Sequence, residues 1–158
     1  MTEYPTLDLI VPGPCEPKGR PRVRRRGAHV RLYTPQATEA YEERVAAHAR
    51  RAAAELGGWV VGRRVPLRLE VEVVCQRPKG LFRRIDDNGE RAPKTTRPDL
   101  DNYVKSILDG LQRAQLFADD AQVVELAARK VYGRILDRKE RAQEGPFARV
   151  RLSVIGML

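Results

Sequence analysis

Between Val65 and Cys75 the chain alternates with period two, setting Leu67, Leu69, Val71 and Val73 against Arg68, Glu70, Glu72 and Val74. That pattern belongs to a strand with one buried and one wet face. Such a strand cannot stand alone: it needs partners in a sheet and a second layer over its apolar side. Residues 6–12 read as a short strand ended by Pro12-Gly13-Pro14. Residues 148–155 read as another, with Val150, Leu152 and Val154 alternating with Arg149, Arg151 and Ser153. Residues 119–132 are expected to be strand too, with Gln122, Val123, Val124 and Leu126 as the apolar part.

Helical periodicity supplies the covering layer. Thr34-Pro35 opens a helix over about 36–56, which Gly57-Gly58 stops. Its stripe, Ala37, Ala40, Tyr41, Val45, Ala49 and Ala52, is thin, and Glu39, Glu42, Glu43, Arg50 and Arg51 cover the rest. A second helix is expected over about 100–114, where Val104, Ile107, Leu108 and Leu111 share one arc. With 158 residues there is room for one core and not two. The expected fold is α/β of the α+β type. It is a single two-layer domain, a mixed β-sheet of about four to five strands with helices packed mainly on one face. A polar stretch at 76–96 is expected to be a long flexible loop. It carries Asp86-Asp87-Asn88-Gly89, a rival carboxylate pair with the chemistry of a turn.

Thirty Lys and Arg face 21 Asp and Glu, a formal net charge of +9, so the expected partner is a polyanion. Arginine outnumbers lysine 24 to 6, and its planar fork suits phosphate. Between Pro17 and Thr38 fall Lys18, Arg20, Arg22, Arg24, Arg25, Arg26 and Arg31, with no acidic residue among them. Glycines and prolines make the first half of this basic arm (17–33) a loop, with a strand at 29–33. Phosphate contacts there would release condensed counterions. Cys15 and Cys75 stand sixty residues apart, which excludes a Cys-x-x-Cys site and argues against a disulfide framework. His29 and His48 are too isolated to nominate a zinc site. No apolar run approaches the roughly 20 residues of a membrane span, and Met1–Pro5 has no signal-peptide pattern. A cytoplasmic protein with no membrane partner is expected.

In so basic a chain the acidic residues at 99, 101, 119 and 120 invite explanation. Asp99, after Pro98, is placed to cap the second helix by accepting a backbone amide. Asp101 and Lys105 form an i,i+4 pair, so a carboxylate and an ammonium project together from the first turns. Asp120 opens the following segment, and the short connection 115–118 allows it to return beside the helix start. Hard divalent cations bind through carboxylate oxygens, and beside a polyanion such a site suggests a nuclease. The bland alternative is a helix cap, a surface ion pair of under about 1 kcal/mol and a turn.

The run Arg-Pro-Asp-Leu-Asp-Asn-Tyr-Val-Lys-Ser-Ile-Leu-Asp-Gly-Leu (97–111), then Asp-Asp-Ala-Gln-Val-Val-Glu-Leu (119–126) and Lys130, resembles the RusA family of Holliday-junction resolvases. The opening Val-Pro-Gly-Pro, Pro-Lys-Gly-Arg-Pro-Arg (17–22) and Tyr-Thr-Pro (33–35) resemble many members more weakly. The resemblance implies a homodimeric, Mg2+-dependent endodeoxyribonuclease, with Mn2+ able to substitute, that nicks four-way DNA junctions symmetrically in recombination and repair. The family is frequent in phages and prophages. By motif position Asp99, Asp101 and Asp120 would bind metal, with Asp119 a further candidate, and Lys105 would complete the catalytic set. Arg97 and Lys130 would join the arm in contacting DNA; Asn102 and Lys130 match supporting positions. Two other readings stand beside this one: a metal nuclease of other branched DNA such as forks and flaps, and a non-catalytic basic DNA-binding module. An RNA-binding protein is less favoured, because aromatics make up only 6% and no stacking platform is evident.

Overall fold

The structure, a computed structural model, describes residues 4–82 and 90–156. Its strands are β1 (Leu7–Pro12), β2 (Arg22–Arg26), β3 (His29–Tyr33), β4 (Leu67–Cys75), β5 (Ala92–Pro93), β6 (Val123–Tyr132), β7 (Ile135–Asp137), β8 (Ala142–Gln143) and β9 (Phe147–Val154). The helices are α1 (Gln36–Glu55) and α2 (Leu100–Arg113), with 3-10 turns at Lys79–Phe82 and Asp120–Gln122. One mixed five-stranded sheet, ordered β1-β9-β4-β6-β5, forms the body. Only β4 and β6 run parallel in it. Parallel neighbours need a crossover, and α2 lies within this one.

The period-two segments behave as their sequences require. Leu67, Leu69, Val71 and Val73 join Leu7, Leu9, Val11, Ala148, Val150 and Leu152 in the core under the helices. The opposite sheet face carries cross-strand ion pairs, Arg151–Asp8 at 2.9 Å, Arg68–Glu125 and Arg129–Glu72. It is exposed at Arg68, but Glu72 and Val74, expected on the wet face, are buried there. The arc of α2 is also as expected, with Val104, Ile107 and Leu111 buried and Leu108 half-buried. The fold is therefore the α+β single domain read from the sequence.

Several local expectations fail. The stripe of α1 is rotated: Thr38, Tyr41, Glu42, Val45, Ala46, Ala49 and Ala53 are buried, while Ala37 and Ala40 are exposed. Glu42, expected on the wet face, is buried because Lys18 (2.6 Å) and Arg113 (2.9 Å) both pair with it. Within the basic arm, residues 17–21 are outside any strand as expected, but Arg22–Arg26 is a strand, since Gly27, at φ +61°, closes a two-residue turn that pairs β2 with β3. Residues 119–122 are a capped turn, so β6 starts at Val123. Val124 and Leu126, read as the apolar part of this strand, are exposed, because nothing among the described residues covers this part of β6. The 76–96 stretch, expected as one loop, holds a 3-10 turn and β5, and a small β7–β8 hairpin lies between β6 and β9. Asp86, Asp87, Asn88 and Gly89 lie outside the described residues.

Helices α1 and α2 meet at Gly110. A Cβ there would come 2.6 Å from Val45 Cβ and 2.8 Å from the Glu42 carbonyl oxygen. The second contact is backbone and cannot rotate away. Gly110→Ala is expected to destabilise the fold by about 1–3 kcal/mol through overpacking, although alanine is the better helix former. Urea denaturation measures this; an equal or higher midpoint would refute the close contact.

Candidate active site

Helix α2 begins where the sequence says it should. Asp99 is its N-cap, with extended backbone (φ −72°, ψ 148°), and it is exposed. Its carboxylate makes no capping bond, contrary to expectation. Asp101 and Lys105 do project together: Nζ lies 3.7 Å from Oδ2, and the side chains are 66% and 64% exposed. The Asn102 carbonyl accepts the Lys18 backbone N–H at 2.8 Å, tying the basic arm to the first turn of α2.

The segment leading into Asp99 is fastened from β6. Lys130 Nζ donates to the carbonyls of Thr96 (2.8 Å) and Pro98 (2.6 Å). Lys94 Nζ donates to the Thr96 carbonyl (2.8 Å), to its hydroxyl (3.0 Å) and to the Arg97 carbonyl. Thr96 Oγ1 also lies 3.2 Å from the Tyr132 hydroxyl. Lys130 therefore spends its ammonium on backbone carbonyls rather than presenting it outward. Lys18 is engaged as well, at 2.6 Å from Glu42 and 2.5 Å from Asp109. Burial opposes its charge, but bonds to Asp109 and Glu42 outweigh that and raise its pKa. Both lysines belong to the protein's own framework. Arg20, Arg22, Arg24, Arg25, Arg26, Arg31 and Arg97 are exposed.

Asp119 and Asp120 occupy the other end of the crossover. Asp119 caps its 3-10 turn, with Oδ1 accepting Ala121 N–H at 2.8 Å. Gln122 completes the box by accepting the amides of Ala118 (2.9 Å) and Asp119 (3.1 Å), and it donates to the carbonyls of Gly62 and Val65. The Ala121 amide and a hydrogen bond with Asp120 lower the Asp119 pKa. That hydrogen bond, then slight burial and the Asp119 charge, raise the pKa of Asp120. Asp119 is thus the capping member of the pair, and the two carboxyls are shifted in opposite directions chiefly by their local hydrogen bonds. Arg63 and Arg64 line one open concavity with Asp119 and Gln122, and the sequence pattern did not single them out.

The expected meeting of Asp99, Asp101 and Asp120 does not occur within one chain. Among the described residues, no three acidic, histidine or cysteine side chains gather as a set able to hold a metal. The reason is topological. Lys130 reaches the segment before Asp99 from the far end of β6, whereas Asp120 precedes its near end. At about 3.3 Å per residue the seven steps from Val123 to Lys130 span roughly 23 Å. The connection 115–118 is short, but α2 has already carried the chain to the opposite end.

The family model for endodeoxyribonuclease RusA matches residues 12–138, which contain the basic arm, both acidic segments and Lys130. The chain belongs to the RusA family. Members of this family are endodeoxyribonucleases, Holliday junction resolvases, and this RusA chain is accordingly a hydrolase. It is 32% identical over 131 residues to an uncharacterized protein, YqaN, of Bacillus subtilis (strain 168), covering 80% of this chain and 87% of that one. It is 47% identical over 38 residues to the crossover junction endodeoxyribonuclease rusA of Lactococcus phage r1t, covering 24% and 29% respectively. No helix of the described residues is long and apolar enough to cross a membrane.

If Lys130 acts on the RusA site through the 96–98 segment, its removal has a distinctive signature. Lys130→Met should lower stability by about 1–2 kcal/mol through two lost charged hydrogen bonds and slow DNA cleavage. The dependence of binding on salt should not change. A direct phosphate contact would instead reduce that slope by about 0.9.

Proposed function

We propose that this protein resolves four-way DNA junctions by paired, symmetric, Mg2+-dependent nicks, acting as a twofold homodimer whose catalytic sites are shared between the copies. The observation that carries the reading is the separation of the two acidic groups along β6. Asp99 and Asp101 are exposed carboxylates, and the first makes no capping bond. They fit half of a hard-cation site, and Asp120 fits the other half. RusA nucleases are in general divalent-metal dependent, so the halves need to be joined.

The edge of β6 offers the means. β5 pairs only with Val131 and Tyr132, and the Lys94 amide bonds the Lys130 carbonyl, so Val123 to Arg129 have no strand on that side among the described residues. Val124 (62% exposed) and Leu126 (55%) sit on this stretch. A long edge of this kind is ordinarily covered or paired. Antiparallel pairing of β6 with β6 of a second copy would carry the second Asp120 toward the Lys130 end of the first, where Asp99 and Asp101 stand. Twofold symmetry then makes two such sites, suited to cutting two opposed strands.

Within each site Asp99, Asp101 and Asp120 would hold the cation, which when bound activates water and steadies charge on the phosphate. Lys105, beside Asp101, donates to a nonbridging phosphate oxygen. Arg63 and Arg64 draw the strand toward Asp120, and the arm arginines supply affinity that weakens with salt. Exposed carboxylates at Asp99 and Asp101, the second beside Lys105, favour this reading over a non-catalytic binder.

Purified protein should nick a labelled synthetic four-way junction in Mg2+ and leave it intact in EDTA, with forks, flaps and duplex cut more slowly. Asp101→Asn and Asp120→Asn should each lose at least about 100-fold of cleavage, beyond the loss seen for residues that merely orient metal ligands, yet still bind. Mixed dimers of these two variants should regain nicking, because one of the two shared sites then has a full donor set. A mixture as dead as either parent refutes sharing between copies.

A further inference from the structure

The β2–β3 ribbon has two chemically different faces. Its register pairs Arg22 with Tyr33, Val23 with Leu32, Arg24 with Arg31, Arg25 with Val30 and Arg26 with His29. Paired residues share a face and successive pairs alternate. One face therefore shows Arg22, Arg24, Arg26, Arg31, His29 and Tyr33. The other shows Val23, Leu32 and Val30, with Arg25 alone among them. All ten residues are exposed, and Val23, Val30 and Leu32 stand at 59%, 57% and 70%. A solvated basic hairpin has no reason to confine its aliphatic residues to one side in contact with water.

The root of the ribbon is fixed while its body projects. Just before β2, the Lys18 amide is bonded to Asn102 in the first turn of α2, and Gly19 N–H lies 3.4 Å from Thr38 Oγ1 of α1. The ribbon is thus tethered next to the helix end that carries Asp99 and Asp101. Its arginines bring a phosphate backbone onto it, and the apolar surface that such a partner owns is the faces of its bases. In continuous duplex those faces are stacked away. At a branch point stacking is interrupted, so separating bases there costs less than the few kcal/mol per step of intact duplex.

Resting on the reading of branched DNA as the substrate, we propose that the ribbon is a wedge. Its arginine face grips phosphates while Val23, Leu32 and Val30 lie against unstacked bases at the branch point. Aliphatic side chains part base steps in this way in architectural DNA-binding proteins. The wedge makes the ribbon a determinant of junction shape as well as a source of affinity, and it places the opened strands beside the acidic half-site.

The test uses full-length protein and four-way junctions with 2-aminopurine at the crossover, in Ca2+ to prevent cutting. Wild type should raise the fluorescence severalfold at saturation, and should leave 2-aminopurine in linear duplex unchanged. Val23→Thr/Leu32→Thr, which leaves a β-branched strand former at both positions, should abolish the rise while retaining the salt slope of binding. Arg24→Gln/Arg31→Gln should do the reverse, reducing the slope by about 1.8 for two lost phosphate contacts at about 0.9 each and keeping the rise. An undiminished rise with the threonine pair overturns the wedge. So does a threonine pair that halves the mass in sedimentation, since a second copy would then be the occupant. Failure of wild type to bind junctions in preference to duplex removes the functional reading itself, a result separable from loss of fluorescence alone.

Discussion

The parallel pairing of β4 with β6 is the constraint on which the site depends. Two parallel neighbours cannot be joined by a hairpin, so the chain must travel back over the sheet before the second strand starts. Helix α2 makes that return, and its fourteen residues cover about 21 Å at 1.5 Å each. Whatever stands at its N-terminus is consequently at the opposite end of the sheet from whatever opens β6. The two acidic motifs occupy those two places. Their distance apart is a property of the crossover, and no loop adjustment at 115–118 could remove it.

Much of this was legible. Period two at Val65–Cys75 and the arc Val104, Ile107, Leu111 located β4 and α2, and the sheet with helices over one face followed. Asp101 beside Lys105 was readable because both lie on one helix, where spacing fixes proximity. What failed to read were relations between elements. Nothing local says that β6 is parallel to β4, so Asp120 was placed by the shortness of a connection rather than by direction. Val124 and Leu126 were readable as apolar strand positions, but hydrophobicity does not reveal whether a neighbour exists to cover them. Arg22–Arg26 hid a strand behind five residues of which four are cationic, and only Gly27-Ala28 with the aliphatics of β3 betrayed it.

Charges inside the structure were equally invisible. Glu42 lies buried between α1 and α2, answered by Lys18 and Arg113, while Lys18 also reaches Asp109. A buried carboxylate is costly unless it is paired and hydrogen-bonded, and here its partners come from two segments far apart in sequence. The cluster joins the root of the basic arm to both helices. Lysines at 18 and 130 look alike in sequence to those that meet phosphate. Their partners show that they hold backbone and helices in position, whereas the arginines of the arm and Lys105 are exposed.

The sheet has two margins, and they differ. β1 is six residues long and ends at Pro12, whose ring offers no N–H, whereas β6 leaves a longer stretch open. Hydrogen-bonding groups left unmatched along a strand can recruit further strands without limit when both margins are equally receptive. Where one margin is the more receptive, pairing about a twofold through it would use up that margin on both participants, and growth would stop at a pair. A protein so built can expose aliphatic residues along a strand and still resist assembly into fibres.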